Sequence, residues 1–240
     1  ITIEVDLMKL PKIVIFDVGG TLLKGDWDDS IVGYTYLYEE VLDVKESLNE
    51  YLDFVKGMFH IIKQRESCDL EFNFRSFFNY LKDLYGLKSD KPYEEIEYNF
   101  ERKFYHPVLN DDVILVLEYL KNKNIPLYVL SNSMYSTNLI EKELEEVGIK
   151  DYFIQIISSG DHLVRKPSSD LFKLYLKKFS MMGYKYNEIC YIGNDYYYDI
   201  ETPVKLGMMS VHLSDKFMVH ENYLEVDSYL KLIEEFKKYE

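Results

Sequence analysis

A short apolar, β-branched run at residues 12–16 stops at Asp17, Gly19 and Gly20, the pattern of a buried strand entering a tight loop. The architecture that this strand begins resumes only after Pro107. From there the spacing predicts a helix at about 112–122, a strand at 126–130, a helix at 137–147 ending near Gly148, and a strand at 152–158. Pro167 opens a helix to about 179, a strand follows at 189–192, the next helix ends near Gly207, and 209–213 reads as the last strand. Strands alternating with helices imply an α/β fold with a parallel, doubly wound, Rossmann-like sheet and its sites at the strands' carboxyl ends. A final amphipathic helix at 229–239 is expected to pack on this core.

Between residues 28 and 105 the texture is different. Apolar residues recur at helical spacing: Ile31, Tyr34, Leu37 and Tyr38, then Leu48, Leu52, Val55 and Phe59. Phe72, Phe77, Phe78, Leu81 and Leu84 follow, and Ile96, Phe100 and Phe104 close the set. Four helices with no strand among them is the reading. The expected organisation is a core of residues 8–24 and 108–240, interrupted by an all-α insert at 25–107. Residues 1–7 precede Met8 and read either as a frayed leader or as residues foreign to the natural chain.

Charge then narrows the partners. A formal net charge of −14 argues against a nucleic-acid partner, which would have to be held through its phosphates. An anionic substrate would need local positive charge from a metal ion and a few placed lysines or arginines. No apolar run approaches the ~20 residues that span a bilayer, and no secretory signal opens the chain. Cys68 and Cys190 stand in no metal-ligand spacing, so a reducing, cytoplasmic setting is expected. The 23 tyrosines read as half-buried helix faces rather than a base-stacking platform.

Four clusters fall just after predicted strands or before a helix: Asp17-Val18-Gly19-Gly20-Thr21, Ser131-Asn132-Ser133, Arg165-Lys166-Pro167, and Gly193-Asn194-Asp195 with Asp199. In this order they resemble the four motifs of the haloacid dehalogenase (HAD) superfamily, with a helical cap inserted after the first. The resemblance covers about residues 12–213. It implies a Mg²⁺-dependent hydrolase in which Asp17 is the nucleophile and forms a covalent aspartyl intermediate. Ser131 and Lys166 would hold the transferring group, with Gly19, Gly20, Thr21 and Asn132 completing the phosphate site. Mg²⁺, which prefers oxygen ligands and keeps several waters, would sit on Asp17, the Gly19 carbonyl, and Asn194 or Asp195, with Asp199 supporting the loop. Asp199 could equally be a helix N-cap.

Two departures from the family pattern bear on function. Its phosphatases carry a second Asp two residues after the nucleophile, where this chain has Gly19. That carboxyl protonates the leaving group and then activates water, work typically worth ~10²–10⁴ in rate. Asn194 stands where many members carry the leading Asp of the acidic motif, and the neighbouring Asp195 could compensate.

The expected activity is hydrolysis of a small phosphorylated molecule. The alternatives are a phosphate-binding protein with little turnover, a phosphonatase-like hydrolase using Lys56 or Lys63, or a dehalogenase-like one using Arg65 or Arg75. The Asp-x-Gly-Gly-Thr loop also resembles the first phosphate loop of actin-like sugar kinases, but the second loop and the adenosine site of that class are missing from the sequence. His60, His106 and His162 form no pair with metal spacing and read as solvated or capping residues.

Overall fold

The structure, a computed structural model, describes residues 9–239. The leader reading for residues 1–7, Met8 and the Arg65 side chain lie outside the described residues.

Strand β1 (Ile13–Phe16) is completely buried because it pairs in parallel on both sides, with β4 (Leu127–Ser131) and β6 (Ile189–Gly193). A strand covered on both faces needs a continuous apolar run, which is how its sequence reads. Alternate residues divide between the faces. Val14 and Phe16 pack with the helices α5 (Val113–Asn122), α6 (Thr137–Glu146) and α9 (Tyr229–Lys237). Ile13 and Ile15 pack with α7 (Ser169–Met181) on the other face.

The sheet continues to β5 (Phe153–Ser158) beyond β4, and to β7 (Met209–Leu213) beyond β6. Helix α8 (Glu201–Lys205) connects β6 to β7, after a π-type turn at Tyr196–Ile200. Past β7 lie β9 (Leu224–Val226), parallel to it, and β8 (Met218–Val219), antiparallel to β9. The strand at 209–213 is therefore not the last, and the far edge of the sheet is mixed rather than parallel.

The insert holds α1 (Ile31–Tyr36), running into a π-type turn at Leu37–Val41, then α2 (Leu48–Lys63), α3 (Phe74–Tyr85) and α4 (Tyr93–Glu101). The capping box Ser47–Glu50 starts α2, and the Asn73 side chain starts α3 by accepting from Ser76 N. Aromatic rings fill its core, among them Phe74 and Phe100 stacked at 4.4 Å between centroids. Tyr135 and Leu139, from the region of α6, complete that core, so the insert closes against the sheet domain.

The insert is not helical to its ends. Strand β2 (Leu23–Trp27) pairs antiparallel with β3 (Tyr105–Leu109), so the outgoing and returning chains form a two-stranded ribbon at its root. The expectation of helix throughout 25–107 is corrected there. Two chain segments running side by side satisfy each other's backbone groups by pairing.

Polar ties then fix the insert on the core. Phe74 N donates to Met134 O at 2.8 Å and Arg165 N to Asp69 O at 2.9 Å. Ser159 Oγ donates to Glu71 at 2.6 Å, and buried Glu97 accepts from Ser136 N at 3.1 Å.

Candidate active site

The parallel sheet gathers the clusters at one end. Asp17 follows β1, Ser131 closes β4, and Asn194 follows β6. The loop after Asp17 turns at once: Thr21 N donates to Val18 O at 3.1 Å and Gly20 N to Leu23 O at 2.7 Å. Gly20 has φ +76°, and a Cβ there would come within 2.4 Å of the Asn194 side chain. Only glycine allows both the turn and that approach.

Lys166 is the centre of the charge arrangement. Its Nζ donates to Asp17 Oδ1 at 2.7 Å, Asp199 Oδ1 at 2.6 Å and Tyr191 Oη at 2.8 Å, with all four residues buried. Asn132 positions it, donating from Nδ2 to Lys166 O at 2.9 Å and accepting Lys166 N on Oδ1 at 2.8 Å. Both ends of the Asn132 amide are thus engaged by the backbone of Lys166. Burial alone would lower the lysine pKa, but the two carboxylates reverse this and hold it above the ordinary value. Burial also pushes Asp17 up to about 6, against the pull of Lys166.

The acidic motif divides its work. Asp199 is buried and accepts Asp195 N on Oδ2 at 3.0 Å, besides Lys166 on Oδ1. Gly193 makes room for it, since a Cβ there would lie 2.3 Å from Asp199 Cβ. The N-cap role falls to Asp195, whose Oδ1 accepts Tyr198 N at 2.9 Å. Asn194 instead faces the first motif. The Thr21 hydroxyl lies 3.2 Å from Asn194 Oδ1 and 3.4 Å from Asp17 Oδ2. One carboxylate oxygen and one amide oxygen therefore converge beside the Gly19 loop, and these with the Gly19 carbonyl could hold Mg²⁺, leaving the remaining positions to water. Among the described residues no group of three His, Cys, Asp or Glu side chains could hold a metal. Any ion here would rely on neutral oxygens and water beside Asp17.

A cavity of 410 Å³ lies beside this cluster, lined by Gly19, Ser131 and Asn132 from the core and by Lys63 of the insert, with Asp17 and Lys166 themselves outside its wall. Thr21 is fully buried, beneath the loop. Lys56 is absent from the cavity wall, and Arg75 pairs with Glu94 at 2.9 Å and stacks on Tyr93 at 3.8 Å. His162 lines a separate cavity of 420 Å³, its Nδ1 2.8 Å from Ser158 O.

The sequence reading missed Tyr191, Glu101 and Glu143. Tyr191 passes as one more strand residue. Glu101 and Glu143 are each 2% exposed and also line the first cavity. A signal for Glu143 existed: it shares the buried stripe of α6 with Leu139, Ile140 and Leu144, where a solvated carboxylate does not belong.

No curated protein matches the sequence. Solved structures share the fold at low identity. A HAD phosphatase from Thermococcus onnurineus is 19% identical with a TM-score of 0.59, over 93% of this chain and 96% of that one. The magnesium-bound YfnB protein of Bacillus subtilis is 19% identical with a TM-score of 0.56, over 95% and 99%. A dehalogenase in an intermediate complex is 15% identical with a TM-score of 0.55, over 93% and 96%. Different reactions thus share this architecture, and the fold alone does not choose among them. The sequence model of the hydrolase family described as haloacid dehalogenase-like matches residues 11–207, and the chain belongs to that family.

Proposed function

We propose that the chain is a Mg²⁺-dependent phosphatase that hydrolyses a small phosphorylated molecule through an aspartyl-phosphate on Asp17. The observation that carries this reading is the buried contact of Lys166 with Asp17 at 2.7 Å, next to a cavity sized for a small molecule. Asp17, Asp199 and Lys166 together carry one net negative charge, which is unfavourable for a phosphate dianion unless a cation joins them. Asp17 Oδ2, Asn194 Oδ1 and the Gly19 carbonyl are the oxygens proposed to hold it. When bound, Mg²⁺ would supply the charge neutralisation that lets an anionic phosphoryl group approach a carboxylate.

The remaining roles belong to the chain itself. Asp17 attacks phosphorus, and Lys166 balances the charge of the nucleophile while Asn132 fixes its position. Ser131 donates its hydroxyl to the transferring group, and the Gly19–Gly20–Thr21 turn keeps the backbone close to it. Asp199 holds Lys166 and the Asp195 amide in place. The reading includes a core of residues 8–24 and 108–240 beneath a cap of 25–107. The free thiols of Cys68 and Cys190 suit a reducing, cytoplasmic setting. Gly19 favours one second reading, a phosphate-binding protein of this fold with little turnover.

Release of phosphate from an aryl phosphate, with and without Mg²⁺, tests the proposal. Activity should require the metal and fall at least about a thousandfold in Asp17→Asn with the fold intact. Equal activity in Asp17→Asn and wild type would overturn it.

A further inference from the structure

The position that carries a carboxyl in the family's phosphatases is empty space here. A Cβ on Gly19 would meet nothing within 4 Å. Gly19 lines the 410 Å³ cavity, and the same cavity is lined by Glu101 from α4 and Glu143 from α6. One guanidinium faces both of them, and both side chains are buried. Burial of two like-charged groups so near one another favours keeping a proton on the pair. Arg102 supports the pair from outside the cavity wall, with Nη1 2.9 Å from Glu101 Oε2 and 3.8 Å from Glu143 Oε1, and Nε 3.2 Å from Glu146. Glu97, Tyr105 and Tyr135 are the other titratable groups acting on the pair, and Lys63 lines the same cavity.

Stability alone does not account for such a pair. A buried ionic cluster is commonly matched or bettered by apolar residues of the same volume. Two coupled carboxyls in a cavity, with environments that separate their protonation states, form the usual signature of acid–base assignments.

We propose that the Glu101–Glu143 pair replaces the acid and base that Gly19 cannot supply. This rests on Asp17 being the nucleophile. In the first step an Asp17 oxygen bonds to phosphorus, the bond from phosphorus to the leaving oxygen breaks, and the pair delivers its proton to that oxygen. In the second step a water oxygen bonds to phosphorus, the Asp17–phosphorus bond breaks, and the pair takes up the water proton. The pair ends as it began, and the net change is hydrolysis. Burial pushes Glu143 up to about 7 and Glu101 well above the ordinary carboxylate range, opposed by Arg102, so near neutral pH both forms of the pair are accessible.

The test is steady-state kinetics with Mg²⁺ from pH 5 to 9 on 4-nitrophenyl phosphate and glycerol 2-phosphate, for wild type, Glu101→Gln and Glu143→Gln. Aryl oxide leaves unaided, so aryl-phosphate kcat/KM, which covers the steps through release of 4-nitrophenol, should change less than about threefold. Alkyl-phosphate kcat/KM should fall at least about tenfold and lose a basic limb near pH 7 that the wild type shows for the alkyl substrate alone. Gly19→Asp added to Glu143→Gln should restore alkyl turnover. A parallel fall of kcat/KM on both substrates without that rescue, or no fall on either, overturns the proposal. If neither variant folds, the wild-type profile decides, because an alkyl reaction without a basic limb near pH 7 also overturns it. Retained activity in Asp17→Asn is a different result and counts against the nucleophile assignment instead.

Discussion

Lys166 Nζ lies 2.6 Å from Asp199 Oδ1, with both side chains almost fully buried. With Tyr191 Oη at 2.8 Å as well, the lysine is fixed by two contacts besides Asp17, which at 2.7 Å meets a cation already in position. Removing one member of a buried ion cluster strands the others, at a typical cost of ~3–5 kcal/mol.

Lys166→Met should accordingly destabilise the fold by about that amount, measured by urea unfolding. Adding Asp199→Asn should recover part of the loss, because one stranded charge is removed with the amide left to accept Asp195 N. Additive losses in the double variant would show that the two side chains are not energetically coupled.

The proposed metal set predicts an asymmetry between two adjacent residues. Asn194 Oδ1 faces the Asp17 loop, while the Asp195 carboxylate caps the turn at Tyr198. Asn194→Asp should tighten Mg²⁺ about tenfold, since it adds a negative ligand for a hard cation. Asp195→Asn should leave affinity within about threefold. Titration calorimetry that finds Asp195→Asn to be the damaging change would move the ion to the other side chain.

Glu143 gives stability a pH dependence. Burial raises it to about 7 in the folded chain, above the ordinary glutamate value of 4.5, so between these the native state holds a proton that the unfolded chain has released. The contribution is fully present below pH 4.5 and is lost as pH rises through 7. Unfolding free energy should fall between pH 5 and 8, by an amount on the order of a few kcal/mol. Glu143→Gln should flatten this interval. An identical slope in wild type and variant would assign the loss elsewhere, with Asp17, raised to about 6 by burial, the next group to test.

The sheet was legible because β1, β4 and β6 are central strands, and burial on both faces requires unbroken apolar runs. The four clusters were legible because they stop those runs or precede a helix. The ribbon was not, since Gly25 and Pro107 break the alternation that marks a strand, and Gly25 is needed where the Tyr105 ring would meet a Cβ at 2.0 Å. β8 and β9 hold two and three residues, too few to show a period. The different surroundings of Asn194 and Asp195 rest on a cap hydrogen bond, and the Glu101–Glu143 pair on two helices distant in sequence meeting at one cavity. Neither is a property of any local window.

Gly19 sets the last prediction. A carboxyl on that residue would come from the loop of Asp17 itself, whereas Glu101 and Glu143 belong to α4 and α6, so assistance from the proposed pair should be the weaker. An aryl oxide departs without protonation, while an alkoxide is far more basic and needs an acid, so aryl phosphates should be cleaved measurably and alkyl phosphates much more slowly. Hydrolysis of the aspartyl-phosphate needs a base in every case, and this step should limit the aryl reaction. Rapid mixing with 4-nitrophenyl phosphate should show a burst of phenol close to one per site, followed by a slower steady state. Gly19→Asp places a carboxyl where its Cβ meets nothing within 4 Å, so the substitution should fold. It should raise alkyl-phosphate turnover by ~10–100-fold, within the range that general acid–base catalysis supplies, and abolish the burst by speeding the second step. Equal wild-type rates on both substrate classes with no burst would mean that acid–base assistance is already complete without residue 19.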